Sequence, residues 1–136
     1  MLLLDNSVWA RRHQATVSER VATAMEQREL GVCVPFLLEA GFSARSARHH
    51  AEIARRFALL PHAPITQDVE RLALEAQSDL ARIGHHRLRP ADILIAACAH
   101  EAGAGVLHYD KDYDVLREHT HLRFHSEWLA PAGSLD

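Results

Sequence analysis

The residues of this 136-residue chain best suited to chemistry are acids standing inside apolar sequence. Asp5 ends the run Met1-Leu2-Leu3-Leu4, Glu39 lies between Leu38 and Ala40, and Asp92 precedes Ile93-Leu94-Ile95. Asp110 follows Val106-Leu107-His108-Tyr109, with Asp112 and Asp114 just beyond. A lone acid at a helix start is explained by dipole complementarity, and Asp92 taken alone admits that reading. Asp5 at the end of a buried strand and Glu39 on a helix with a buried face are harder to explain, because unpaired buried carboxylates are avoided. Gathered at one edge of a fold, such acids repel. Two unit charges roughly 5 Å apart cost about 3 kcal/mol at an effective dielectric of about 20. No Lys or Arg adjoins Asp5, Glu39 or Asp92 in sequence. A hard divalent cation, Mg²⁺ or Mn²⁺, relieves that repulsion at an all-oxygen site, and its open positions suit phosphodiester hydrolysis.

The elements that must position these acids follow from pattern. Short apolar runs at residues 1–4, 32–34, 106–109 and 121–125 read as strands. Between them lie helical stripes: a short helix capped by Ser7, then 17–30 stopped by Gly31, 36–44 opened by Pro35, and 46–60. Thr66 caps the next helix, which stops at Gly84. Pro90 opens an apolar helix over 91–102 that reads as buried all round, and a short one follows over 112–118. This alternation predicts an α/β fold, a three-layer α/β/α sandwich around a central, mainly parallel sheet, with residues 1–136 as one domain. In such sheets ligands sit beyond the carboxyl ends of the strands, where Asp5 and Asp110 stand.

Composition narrows the class. A hydrophobic fraction of 48% with 24% charged residues excludes a disordered or collagen-like chain. No apolar run approaches the roughly 20 residues of a membrane span. The first residues lack a basic region, so no signal peptide is expected. Cys33 and Cys98 show no CxxC spacing and predict a reduced, cytoplasmic protein. The net charge of −3 argues against a nucleic-acid partner only if the acids are spread evenly, because with the clustered acids set aside the bases outnumber the rest. Those bases are fourteen Arg and the single Lys111, a bias that suits bidentate phosphate contacts and equally reflects GC-rich codons.

Taken in order, Leu4-Asp5-Asn6-Ser7, then Pro35-Phe36-Leu37-Leu38-Glu39, Pro90-Ala91-Asp92-Ile93-Leu94 and Tyr109-Asp110-Lys111-Asp112-Tyr113 resemble the PIN-domain nucleases, and among them the VapC toxins of type II toxin–antitoxin modules. The closing Glu127-Trp128-Leu129 resembles the tail of many such chains. The resemblance implies a Mg²⁺- or Mn²⁺-dependent endoribonuclease acting as a growth-inhibiting toxin. It implies that Asp5, Glu39, Asp92 and Asp110 form the catalytic acidic quartet. Asp5, Asp92 and Asp110, with Asp112 as an additional acid, would hold metal. Glu39 would serve as ligand or as the base that positions water, and Ser7 would hydrogen-bond within the site. It further implies RNA as substrate, a homodimer, and a cognate antitoxin that inserts a segment into the acidic groove. One departure is visible: where family members often carry Thr or Ser two residues before the fourth acid, this chain has His108, a candidate phosphate contact.

Other readings compete less well. The histidine pairs His49-His50 and His85-His86 are adjacent and do not share a helix face. No G-x-S-x-G elbow, P-loop or G-x-G-x-x-G is present, and Cys98 inside the apolar helix reads as core. Arg87 and Arg89, just before Asp92, are candidate RNA contacts. Arg45, Arg48, Arg55 and Arg56 read as a solvated helix face, and Phe42, Phe57 and Leu60 as core or partner surface. The alternatives to a toxin are a PIN-like nuclease of RNA processing and a module that binds RNA or a partner without cleaving.

Overall fold

The computed structural model describes residues 1–135. Its strands are short because each is a few apolar residues between helix signals: β1 Leu2–Leu4, β2 Leu30–Gly31, β3 Gly105–His108 and β4 His125–Trp128. They pair in the order β2-β1-β3-β4 and every pairing is parallel, so the expected mainly parallel sheet is wholly parallel among the described residues. Parallel strands need crossovers, which the helices supply. These are α1 Asn6–Trp9, α2 Ala15–Glu26, α3 Val34–Phe42, α4 Ala47–Phe57, α5 Gln67–Arg82, α6 Pro90–Ala102 and α7 Asp112–His119. Leu3 and Leu4 point to opposite faces of β1 and both are buried, as are all four residues of β3. Helices therefore cover both faces of the sheet. Buried α6 lies against β1 and β3 and brings Asp92 to their carboxyl ends.

Helix ends decide where the strands begin. Gly84 and Gly103 adopt positive φ as expected, and the N–H after each glycine returns to a carbonyl of the last turn (His85 to Leu80, Ala104 to Ala99, both 2.8 Å). The helix expected to run to Leu30 ends instead at Glu26. Arg28 takes the left-handed φ of 55°, its N–H donates to the Met25 carbonyl and that of Glu29 to Ala24. A non-glycine residue thus closes the same motif, and Leu30 and Gly31 are freed to pair with Leu2 and Leu3. The strand expected at 32–34 is correspondingly displaced: Val32 only bridges to His62, while Cys33 caps α3 and Val34 begins it.

Two further expectations are corrected. Asp5, not Ser7, caps α1, accepting from the Ser7 N–H at 2.9 Å. The last strand begins at His125 rather than His121. Leu122 and Phe124 are buried in alternation, but the Leu122 and Arg123 N–H groups donate to Thr120 Oγ1 and His100 Nδ1 instead of to a strand. Alternation there records burial without a ladder. The ladder starts where Gly105 meets His125, and a Cβ at Gly105 would lie 2.7 Å from the His125 carbonyl oxygen.

Candidate active site

Asp5 enters the site from the end of β1, with 4% of its surface exposed. Ser7 Oγ donates to its Oδ2 at 2.5 Å while accepting from the Tyr109 N–H at 2.8 Å, so one hydroxyl ties the end of β1 to the end of β3. Ser7 thus hydrogen-bonds both to Asp5 and to the backbone of Tyr109. Oδ1 of Asp5 accepts from Tyr113 Oη at 2.6 Å. The first turn of α6 brings Asp92, 2% exposed, to the same tyrosine at 3.5 Å through Oδ1, and its buried Oδ2 has no hydrogen-bond partner. Burial, then the charges of Asp5 and Asp110, push the Asp92 carboxyl up to about 7 against the opposing pull of Arg89.

Asp110 and Asp112 complete the group. Asp110 Oδ1 accepts from the Asp112 N–H at 2.9 Å, which turns the chain into α7. Burial and the neighbouring Asp110 raise the Asp112 carboxyl. One oxygen each from Asp92, Asp110 and Asp112 lie within 4.8 Å of one another. An all-oxygen donor set, a buried carboxylate oxygen with nothing to accept from, and the Asp92 and Asp112 carboxyls driven upward by burial and then by neighbouring charge fit a hard divalent cation. The structure places Asp5 beside this trio and gives its oxygens three protein donors.

Glu39, half-buried on α3, is held by Arg89, whose Nη2 lies 3.1 Å from both carboxylate oxygens. Arg89, expected at a phosphate, thus meets a carboxylate of the site from the residue preceding α6, and Arg87 stands exposed nearby in sequence. Asp114 faces away from the trio: it accepts from Ser126 Oγ at 2.7 Å and Trp128 Nε1 at 2.9 Å. Burial alone would raise its carboxyl, but those two hydrogen bonds prevail and hold it low.

His108 does not serve as the expected phosphate contact, because it is fully buried and both ring nitrogens are engaged. Burial holds it below the usual histidine range and neutral. Tyr113, which the sequence reading treated only as part of a motif, is also fully buried and joins Asp5 to Asp92. A buried tyrosine hydroxyl must find a partner, and its place three residues after Asp110 in the first turn of α7 was the available signal.

The PIN domain family model matches residues 2–119. Ribonuclease VapC18 of Mycobacterium tuberculosis is 32% identical over 135 residues, covering 97% of both chains. Ribonuclease VapC21 of the same organism is 37% identical over 136 residues, covering 97% of this chain and 96% of that protein. Among solved structures, the DNA-bound VapBC complex from Salmonella typhimurium has a chain that superposes with a TM-score of 0.73 at 19% identity, over 96% of this chain and all of that one. With a parallel sheet that delivers acids from β1, α6 and the β3–α7 turn to one edge, and with matches spanning nearly its whole length, this chain belongs to the PIN-domain family.

Proposed function

We propose that the chain is a Mg²⁺- or Mn²⁺-dependent endoribonuclease, the toxin of a type II toxin–antitoxin module. The observation that carries this reading is the partnerless buried Oδ2 of Asp92 beside the oxygens of Asp110 and Asp112. Asp92, Asp110 and Asp112 hold the cation. Asp5, with one lone pair of Oδ1 beyond its three protein donors, closes the inner edge. The chemistry that a bound divalent cation supplies is charge stabilisation at the scissile phosphate and a more acidic water for in-line attack. Glu39 would orient the attacking water from α3, and Arg89 fixes the Glu39 carboxylate. Arg87 contacts RNA phosphate, and Arg89 presents its remaining donors to the same backbone. The curated relatives are named as VapC ribonucleases, which supports RNA as the substrate.

The solved neighbours are VapBC complexes, and they support an antitoxin as partner. An apolar groove of about 300 Å³ lined by Val8, Trp9, Val21, Met25, Phe36 and Phe57 suits a partner segment. Leu38 and Phe42, exposed on α3, suit a second copy of the chain. No helix among the described residues is long and apolar enough to cross a membrane, and action in the cytoplasm is part of this proposal. Incubation of the purified protein with total RNA tests the activity. Cleavage is expected with Mg²⁺ or Mn²⁺, none with EDTA, and none for Asp110→Asn. Cleavage that persists in EDTA overturns the metal mechanism. Retained RNA binding without cleavage favours the non-cleaving module.

A further inference from the structure

A chain of hydrogen bonds runs from the Asp110 backbone through the ring of His108, two residues earlier. The Asp110 N–H can only donate, and it donates to His108 Nδ1 at 3.1 Å. Nδ1 is therefore unprotonated and the ring proton sits on Nε2. Nε2–H then donates to Ser126 Oγ at 2.7 Å, and the Ser126 hydroxyl proton is left for Asp114 Oδ1, also at 2.7 Å. Trp128 Nε1 donates to the second oxygen of Asp114 at 2.9 Å. Each donor and acceptor along the line has one consistent role, and the line runs from β3 across β4 to α7. The imidazole is clamped from its faces and edges as well: it stacks on Tyr113 at 4.8 Å between centroids and meets the Trp128 ring edge-on at 5.0 Å.

Resting on the metal-site reading above, we propose that His108 is a positioning residue. Its Nδ1 fixes the backbone of Asp110, and its Nε2, through Ser126, anchors that turn to β4 and Asp114, so that the Asp110 carboxylate is pre-set for the cation. The other hydrogen bonds to Asp110 among those of the described residues come from α7: the Asp112 N–H to its carboxylate at 2.9 Å and the Tyr113 N–H to its carbonyl at 3.2 Å. The ring also presses on the tyrosine that carries Asp5. A substitution at 108 therefore reaches two acids of the site without touching either carboxylate.

Two isosteric substitutions separate the two ends of the ring. His108→Asn places an amide oxygen near the Nδ1 position and keeps the acceptor for the Asp110 N–H. His108→Gln places its amide near the Nε2 position and gives that acceptor up. Hydrogen exchange of the Asp110 amide in the metal-free protein, and Mn²⁺ affinity by titration, are measured for both. His108→Asn, which keeps the acceptor and gives up only the bond to Ser126, is expected to speed Asp110 exchange slightly and to weaken Mn²⁺ binding by about threefold, whereas His108→Gln loses protection and about 10–100-fold in affinity. Equal behaviour of the two variants, with normal Mn²⁺ binding by the wild type, overturns the inference and leaves the metal site standing. Absence of Mn²⁺ binding by the wild type overturns the site and the inference together. If the Gln variant does not fold, Ser126→Ala retains the ring and removes only the partner of Nε2. Faster Asp110 exchange and weaker Mn²⁺ binding are then expected, and unchanged values overturn the proposal.

Discussion

Asp5 and Asp92 are both buried carboxylates at the mouth of one sheet, and they differ in what meets their oxygens. Asp5 accepts from the Ser7 N–H, the Ser7 hydroxyl and the Tyr113 hydroxyl, and its backbone N–H and carbonyl hold β3 and α1. Asp92 has one long contact to Tyr113 and an oxygen with none. Burial is nearly equal, so desolvation does not separate them. Hydrogen bonding does: three donors meet the oxygens of Asp5, while Asp92 is left with desolvation and like charge, which raise its carboxyl to about 7. One acid is tied into the fold by its hydrogen bonds, and the other, on the proposed reading, awaits a positive charge.

The largest test of this contrast exchanges each carboxylate for its amide. Asp92→Asn is expected to abolish cleavage and most of the stabilisation given by Mn²⁺, yet to raise metal-free stability at pH 8 by about 1 kcal/mol or more, since a repelling charge is gone. Asp5→Asn carries the opposite sign. Its NH₂ faces a donor, and metal-free stability should fall by about 1–3 kcal/mol. Thermal melts of both variants with and without Mn²⁺ decide this, and the contrast fails if the two shifts share a sign.

A pH series sharpens the same comparison. The folded protein retains a proton on Asp92 up to about pH 7, whereas the unfolded chain releases it near the ordinary 3.8. This contribution is fully present below pH 3.8 and lost as pH rises to about 7, by about 4 kcal/mol at most. Metal-free melting temperature should decline across that window, Asp92→Asn should flatten the decline, and Mn²⁺ should reverse it at pH 8. The smallest expected effect lies at the rim. Arg87→Ala should leave the fold unchanged and lower the slope of log RNA affinity against log salt by about 1, as loss of one phosphate contact requires. An unchanged slope removes Arg87 from the RNA path.

Legibility followed the range of the interaction. Thr66 capping α5, Pro90 opening α6 and Gly103 closing it are local signals, and each stands where the sequence indicated. The end of α2 is not legible in this way, because Gly31 looks like the stop while Arg28 supplies the left-handed residue at a modest steric cost. The acids were legible from their apolar surroundings, since a carboxylate there needs a reason. The Arg89–Glu39 pair was not, because the two residues are fifty positions apart and only the docking of α3 beside α6 joins them.

By itself, the sequence determined the α/β alternation, the parallel sheet and the set of acids near strand and helix ends, because periodicity and local capping dictate these within a few residues. Only the tertiary structure decided what each polar group meets. It sent Asp114 to Trp128 rather than to the acidic trio, buried His108 where a phosphate contact was expected, and set Tyr113 between Asp5 and Asp92. Spacing along the chain limits which side chains can share an edge of the sheet. A hydrogen bond depends on tenths of an ångström and on a free lone pair, which the packing of separate elements alone determines.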